Sequence, residues 1–228
     1  MSYPIEITNA DEVSQHRIVK ALNSSPIPLM EAILNHIQDK DIIFHDFICD
    51  HLCWRCASLE EYVNIKSLFT NKNLGEVLIE CMIGDRPIST IHLNQAILIK
   101  TNTDTSFSIP GFELPCPKPC VYYESGWEHC EFAVGNKFEK LEDFVNLYKS
   151  RIEFDYCWKE SNADVSLKVK YSVGKEQKVG TVKFHLEPLE EVVKHELAEG
   201  TVEFPPKDYF DKVKISKYST KNQTTMKV

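Results

Sequence analysis

Apolar residues recur along the chain with two periods that alternate in blocks. In PIPLMEAILNHI, Leu29, Ile33 and Ile37 stand at i, i+4 and i+8 behind Pro26 and Pro28, which predicts a helix within a helical lead-in over residues 1–46. FICDHLCWRC, from Phe47 to Cys56, is rich in β-formers and thiols and predicts a strand. A helix should follow, because Ser58 and Glu61 have capping-box spacing and Leu59, Tyr62, Val63 and Lys66 have helical spacing. LGEVLIECMIGD, RPISTIHLNQAILIK and TSFSIPGFELP then read as three strands, parted by Gly-Asp and by the polar NTDT stretch.

After the Pro- and Cys-rich connector PCPKPCVYYESG the order starts again. GWEHCEFAVG reads as a strand, and KLEDFVNLYKS places Leu141, Phe144, Val145 and Tyr148 at i, i+3, i+4 and i+7. EFDYCWKE, VSLKVKYSV and GTVKFHLEP follow as strands, so strand, helix, strand, strand, strand is written twice. This divides the chain into an N-terminal helical extension (1–46), a first βαβββ module with its connector (47–120), a second βαβββ module (121–197) and a C-terminal tail (198–228), read as disordered from Glu199 onward.

The repeat extends to individual letters. Asp50-His51 and Glu128-His129 open the two modules, offset by 129 − 51 = 78 residues. Phe112-Glu113-Leu114 and Phe184-His185-Leu186 close them, offset by 185 − 113 = 72 residues. Residues i and i+2 of a strand share a face, so His51 stands with Cys49, Cys53 and Arg55, His129 with Glu131, and His185 with Lys183 and Glu187, while Asp50 belongs to the opposite face. If helices bury the apolar faces, His51, Glu113, His129 and His185 converge on one cavity. Three imidazoles and a carboxylate suit Zn, Fe(II), Mn, Ni or Co.

Composition narrows the alternatives. The 228 residues carry 26 Lys+Arg against 34 Asp+Glu, a net charge of −8 with no long block of one sign, which argues against nucleic acid as a partner. No apolar run approaches the ~20 residues that cross a bilayer, and the N-terminal stretch does not resemble a signal peptide, so a cytoplasmic protein with no membrane partner is expected. Eight Cys are then thiols first. Cys53 and Cys56 have CxxC spacing but face opposite ways on a strand, Cys116 and Cys120 form only a loose CxxxC, and the Asn23 and Asn222 glycosylation matches carry little weight in that compartment. No GxGxxG, P-loop, GxSxG or HExxH is present.

The runs DHLCWRC, MIGDRPISTIHL, FELPCP, SGWEHCEFAV and TVKFHLEPLEEVV resemble the signature segments of the bacterial YecM-like proteins. These are a branch of the vicinal oxygen chelate (glyoxalase/bleomycin resistance/dihydroxybiphenyl dioxygenase) superfamily. The resemblance covers roughly residues 47–195. It implies an α+β fold in which two βαβββ modules form a curled mixed sheet around one central divalent metal, with a ligand from the first and last strand of each module. Carried over position by position, the ligands are the four already selected, His51, Glu113, His129 and His185. His185 stands where many relatives have a carboxylate, with Glu187 as the fallback.

Around such a metal, Glu131 and Glu187 are the candidate catalytic bases. Arg86 is placed to pair with a substrate carboxylate, Arg55 shares the face of His51, and Tyr122 and Trp127 are candidate pocket walls; the competing readings are solvation for Arg86, an ion pair for Arg55, packing for the two aromatics and helix capping for Glu187. The resemblance implies a metal-dependent enzyme of isomerase, lyase or dioxygenase type acting on a small oxygenated, anionic metabolite, and it allows a homodimer. The alternative on the same fold is a small-molecule or metal binding protein without turnover.

Overall fold

The computed structural model describes residues 3–119, 121–157 and 163–211. Cys120, the Trp-Lys-Glu end of the EFDYCWKE run, Asn222 and the rest of the tail beyond residue 211 lie outside the described residues. The lead-in forms α1 (Ala10–Gln15), α2 (Arg17–Leu22) and α3 (Ile27–Asp39), with a proline in the first turn of α3 and Leu29, Ile33 and Ile37 buried.

The first module is β1 (Ile48–Arg55), α4 (Leu59–Asn71), β2 (Gly75–Ile83), β3 (Arg86–Lys100) and β4 (Ser106–Pro115). The second is β5 (Gly126–Ala133), α5 (Leu141–Tyr148), β6 (Asp155–Cys157), β7 (Asp164–Val173) and β8 (Glu176–His185), and α6 (Leu189–Glu199) follows it. Ser58 caps α4 by accepting the Glu61 N–H at 3.0 Å, while the Glu61 carboxylate accepts the Ala57 N–H at 2.7 Å. The reciprocal half of the capping box is thus shifted by one residue. Tyr62 is buried, whereas Val63 is exposed; Ile65 and Phe69 complete the buried face in its place.

The strands of the described residues join one eight-stranded mixed sheet in the order β2-β3-β4-β1-β5-β8-β7-β6, which does not close into a barrel. Each module pairs its first and last strand in parallel, β1 with β4 and β5 with β8, and the modules meet through the antiparallel β1–β5 pair. The α+β duplication expected from the repeat is therefore present. Helices α3 and α4 pack on the sheet over a core that includes Phe112, Phe132, Phe144 and Phe184, all fully buried. The other face carries the polar residues treated below.

The C-terminal stretch departs from the expected disorder. The Glu203 carbonyl accepts the Met82 N–H of edge strand β2 at 2.7 Å, Val202 joins an apolar cluster with Ile79, Cys81 and Val193, and the Phe210 ring stacks on Tyr62. Residues 200–211 thus cover a strand edge that would otherwise offer unpaired backbone groups. Scattered apolar residues among polar ones, with no period, gave no sign of this.

Candidate metal centre

Two rows of side chains cross the middle of the sheet. The ladder registers place Gly111, His51, Glu131 and Lys183 side by side in one row, and Glu113, Cys53, His129 and Thr181 in the next. A pseudo-twofold axis between β1 and β5 exchanges the rows, matching His51 with His129, Cys53 with Glu131, Glu113 with Lys183 and Gly111 with Thr181. Gly111 is required by this geometry, since a Cβ there would stand 2.7 Å from His51 Cβ and 2.6 Å from the Asp50 carbonyl oxygen.

The acids preceding the two histidines are also equivalent. Asp50 is the extra residue of a bulge in β1, and Glu128 that of a bulge in β5. The first bulge turns Cys49 into the core and brings Asp50 to the polar side, which corrects the facing expected from strict alternation. Asp50 then lies 3.3 Å from both His51 Nδ1 and His185 Nε2, and its Oδ2 accepts the Leu189 N–H at 2.7 Å, capping α6. Glu128 turns to Arg55 instead, with which it forms an ion pair.

Glu131 is the hub. Its Oε1 lies 3.4 Å from His51 Nε2 and 3.2 Å from His129 Nε2 and accepts a hydrogen bond from Lys183 Nζ, while Glu113 Oε2 approaches His129 Nε2 at 3.1 Å. Ligand atoms of His51, Glu113, His129 and Glu131 all lie within 4.8 Å of one another, and all four residues are buried. Ligands ~2.0–2.2 Å from one ion stand at most about 4.4 Å apart, so the group needs only a small contraction. Both nitrogens of His51 and Nε2 of His129 are buried without a well-formed hydrogen bond. Buried polar nitrogens of this kind call for a partner, and two imidazoles with two carboxylates are a suitable donor set for a divalent transition ion. The residues present fit such an ion.

His185 stands elsewhere. It is fully buried but paired along the ladder with Ala133, one row beyond Lys183, and its Nε2 contacts Asp50 at 3.3 Å and Glu131 Oε2 at 3.7 Å. The matching of FEL with FHL runs two residues long. That slip keeps the face and changes the row, since the ladder gives an offset of 183 − 113 = 70 where the letters suggested 72.

The remaining candidates separate clearly. Glu187 is exposed and pairs with His195 at 3.1 Å, and it neither reaches the cluster nor caps α6, where Asp50 takes that role. Trp127 is buried edge-on against Trp54 with its indole N–H on the Ser24 carbonyl at 3.2 Å, and Tyr122 is exposed. Both line a smaller side cavity of about 360 Å³ together with Arg55. Arg55 also lies over the Tyr123 ring, 5.4 Å from its centroid, and carries the ion pair foreseen as its competing reading. Arg86 does reach the main cavity, where its Nη1 is buried without a hydrogen bond. Cys53 and Cys56 are both buried, Cys53 facing Glu128 and Cys56 in the core, so that pair points to opposite faces as expected.

The main cavity measures about 680 Å³ and opens directly onto Glu113, His129, Glu131 and Lys183. Cys81, Met82 and Ile83 of β2 line it on one side, and Val192, Val193 and Glu196 of α6 with Val202 and Glu203 line another. The cluster's charges hold one another in place. Burial favours neutral carboxyls, yet His51 and His185 beside Asp50, His129 beside Glu113 and Lys183 beside Glu131 reverse this, so Asp50 and Glu131 fall well below the usual range and Glu113 falls to about 2. In the same way burial would lower His51, but Glu131 and Asp50 raise it well above its ordinary value, and Asp50 raises His185. Asp50 and Lys183 were the site residues that pattern reading passed over. Lys183 shares the selected face of β8, and the β5–β8 register was the missing signal.

The profile of the YecM protein family matches residues 20–196, most of the chain. The chain belongs to the YecM family. No curated protein matches the sequence. Among solved structures, a structural-genomics protein termed EC4020 superposes with a TM-score of 0.59 at 22% identity, covering 80% of this chain and 95% of its own, and so shares the fold. Streptomyces coelicolor methylmalonyl-CoA epimerase, in complex with 2-nitronate-propionyl-CoA, gives a TM-score of 0.36 at 11% identity, covering 60% of this chain and 96% of the epimerase. A 4-hydroxymandelate synthase mutant from the same organism gives 0.31 at 10% identity, covering 66% and 55%. This YecM-family chain contains a buried His/Glu cluster able to chelate a divalent ion, and among the described residues no helix is long and apolar enough to cross a membrane.

Proposed function

We propose that this YecM-family protein is a divalent-metal-dependent enzyme of isomerase, lyase or dioxygenase type, acting on a small oxygenated anion held in the main cavity. The observation that carries the reading is the convergence of His51, Glu113, His129 and Glu131 at the base of an open cavity of about 680 Å³. The ligand set is these four, with Glu131 in the place that the sequence repeat gives to His185. Two neutral imidazoles and two carboxylates balance a divalent ion, whereas three imidazoles and one carboxylate would leave a charge of +1. A bound ion would supply Lewis-acid polarisation of substrate oxygens.

The chain's own residues supply the rest. Arg86 Nη1, buried with no partner, is suited to a substrate carboxylate, because an unpaired buried guanidinium N–H is costly until an acceptor fills its place. Asp50 faces His51 Nδ1 at 3.3 Å and caps α6, so that the cavity's helical wall and one imidazole of the cluster meet at the same carboxylate. With Glu131 in the ligand set and Glu187 at the surface, the carboxylates and amines that remain on the cavity wall to hold or move a proton are Glu128, Asp164, Glu196, Glu203, Lys118 and Lys183.

The reading is tested with a panel of small 2-oxo and 2-hydroxy carboxylates, followed by proton NMR in deuterated water and by oxygen consumption, with and without added Mn, Fe(II), Zn, Ni or Co. Metal-dependent conversion or carbon-bound proton exchange, abolished by a chelator and by His129→Ala, is expected for at least one compound. Saturable binding with no conversion by fully metal-loaded protein would favour a binding protein without turnover.

A further inference from the structure

We infer that Lys183 and the divalent ion are alternative occupants of Glu131 Oε1, and that metal entry turns the Lys183 ammonium out into the cavity. The inference rests on the proposed metal centre and adds a residue that sets its affinity and provides a second contact for an anionic ligand.

Three nitrogens share that oxygen: His51 Nε2 at 3.4 Å, His129 Nε2 at 3.2 Å, and Lys183 Nζ in a hydrogen bond. An ion held by both imidazoles and by Oε1 would take the place of the ammonium, since a protonated amine offers three donors and no lone pair and cannot itself become a ligand. Two cations in contact also repel strongly at a buried site. The pseudo-twofold explains why the conflict exists on one side only. Lys183 occupies the position equivalent to Glu113, so one half of the symmetric site offers the ion a carboxylate and the other a competitor.

Departure of the ammonium is feasible. The Lys183 side chain is about a quarter exposed, and it lines the cavity of about 680 Å³, whose wall is acidic, with Glu128, Asp164, Glu196 and Glu203. Once released, its long stem would carry the positive charge away from the cluster and into the cavity, within reach of an anionic group on a ligand held there. Arg86 lines the same cavity. A ligand bearing an anionic group next to a metal-bound oxygen would be held at both points.

The test measures zinc and manganese affinity of the full-length protein by calorimetry for the wild type, Lys183→Met and Lys183→Arg. Removal of the competitor is expected to tighten binding roughly 10- to 100-fold, while Lys183→Arg, which keeps the charge, stays near the wild type. As a measurement that needs no variant, reductive methylation of Lys183 read by mass spectrometry is expected to accelerate severalfold when metal is added. Metal binding by the wild type with no gain in Lys183→Met, or with methylation unchanged or slowed, overturns the inference and leaves the metal centre standing. Absence of metal binding in both wild type and Lys183→Met overturns the metal centre and the inference together. Should Lys183→Met fail to fold, the methylation result on the wild type decides.

Discussion

The two modules bring the same backbone to the centre of the sheet and dress it differently. In the first, His51 is followed on its face by Cys53, and the outer strand contributes Glu113; in the second, His129 is followed by Glu131, and the outer strand contributes Lys183. The bulged acids diverge as well, since Asp50 binds His51, His185 and the α6 N-terminus while Glu128 pairs with Arg55. Duplication supplies the symmetric placement of the two imidazoles, and asymmetric substitution decides which positions carry charge. One carboxylate on an outer strand and one on an inner strand complete a cluster of two imidazoles and two carboxylates that neither module alone supplies.

Removing a member of the histidine pair should have the largest effect. His51→Ala or His129→Ala should each reduce divalent-metal affinity on the order of 100-fold or more, checked by elemental analysis after equilibrium dialysis. Comparable loss from both supports a shared ion. Loss from one alone means the imidazoles do not act together.

Next comes the Cys53/Glu131 pair. Glu131→Gln removes the charge that faces the buried His51 and His129 imidazoles and should destabilise the metal-free protein by about 3 kcal/mol, whereas Cys53→Ser should cost about 1 kcal/mol or less. Urea titration of both variants checks the contrast. The Gly111/Thr181 pair provides a smaller difference. Gly111→Ala must push β1 and β4 apart to clear the Asp50 carbonyl and His51 Cβ, at about 1–3 kcal/mol and with weaker metal binding, while Thr181→Ala should stay within about 0.5 kcal/mol.

The mildest effect is on pH dependence. Asp50, Glu113 and Glu131 have folded pKa values below their unfolded ones, so their contribution is present above the ordinary carboxylate range and is lost as pH falls, for Glu113 toward about 2. His51 and His185 have raised values, so theirs is complete below an ordinary histidine pKa and is lost as pH rises through the folded value. The metal-free protein should therefore be destabilised at both acidic and alkaline pH. Asp50→Asn should flatten the alkaline loss, measured as thermal midpoint against pH. Metal affinity should run the other way and rise with pH, because His51 must shed its proton to become a ligand.

Much of this was legible in the chain. Alternation and helical spacing located the modules, and the Asp50-His51 and Glu128-His129 doublets marked residues that the structure places in equivalent bulges. Within the site, three parts were not legible, each for a physical reason. Alternation assumes an unbroken pleat, so the bulge that brings Asp50 to the polar side left no trace. Matching FEL to FHL follows similar letters over ladder position, and a two-residue slip preserves the face, so in the letters His185 takes the row that belongs to Lys183 and nothing marks Glu131 as the hub. Glu187 and Tyr122 lie beyond the strand ends, where two-residue periodicity no longer says where a side chain points.

The most direct test of the shared centre is anomalous diffraction from crystals of the wild-type protein grown with manganese or zinc. A single peak about 2.0–2.2 Å from His51 Nε2, His129 Nε2 and carboxylate oxygens of Glu113 and Glu131, with His185 outside the coordination sphere, is the expected result. A peak bound through His185 and Asp50, or no peak at this cluster under metal-replete conditions, would contradict it.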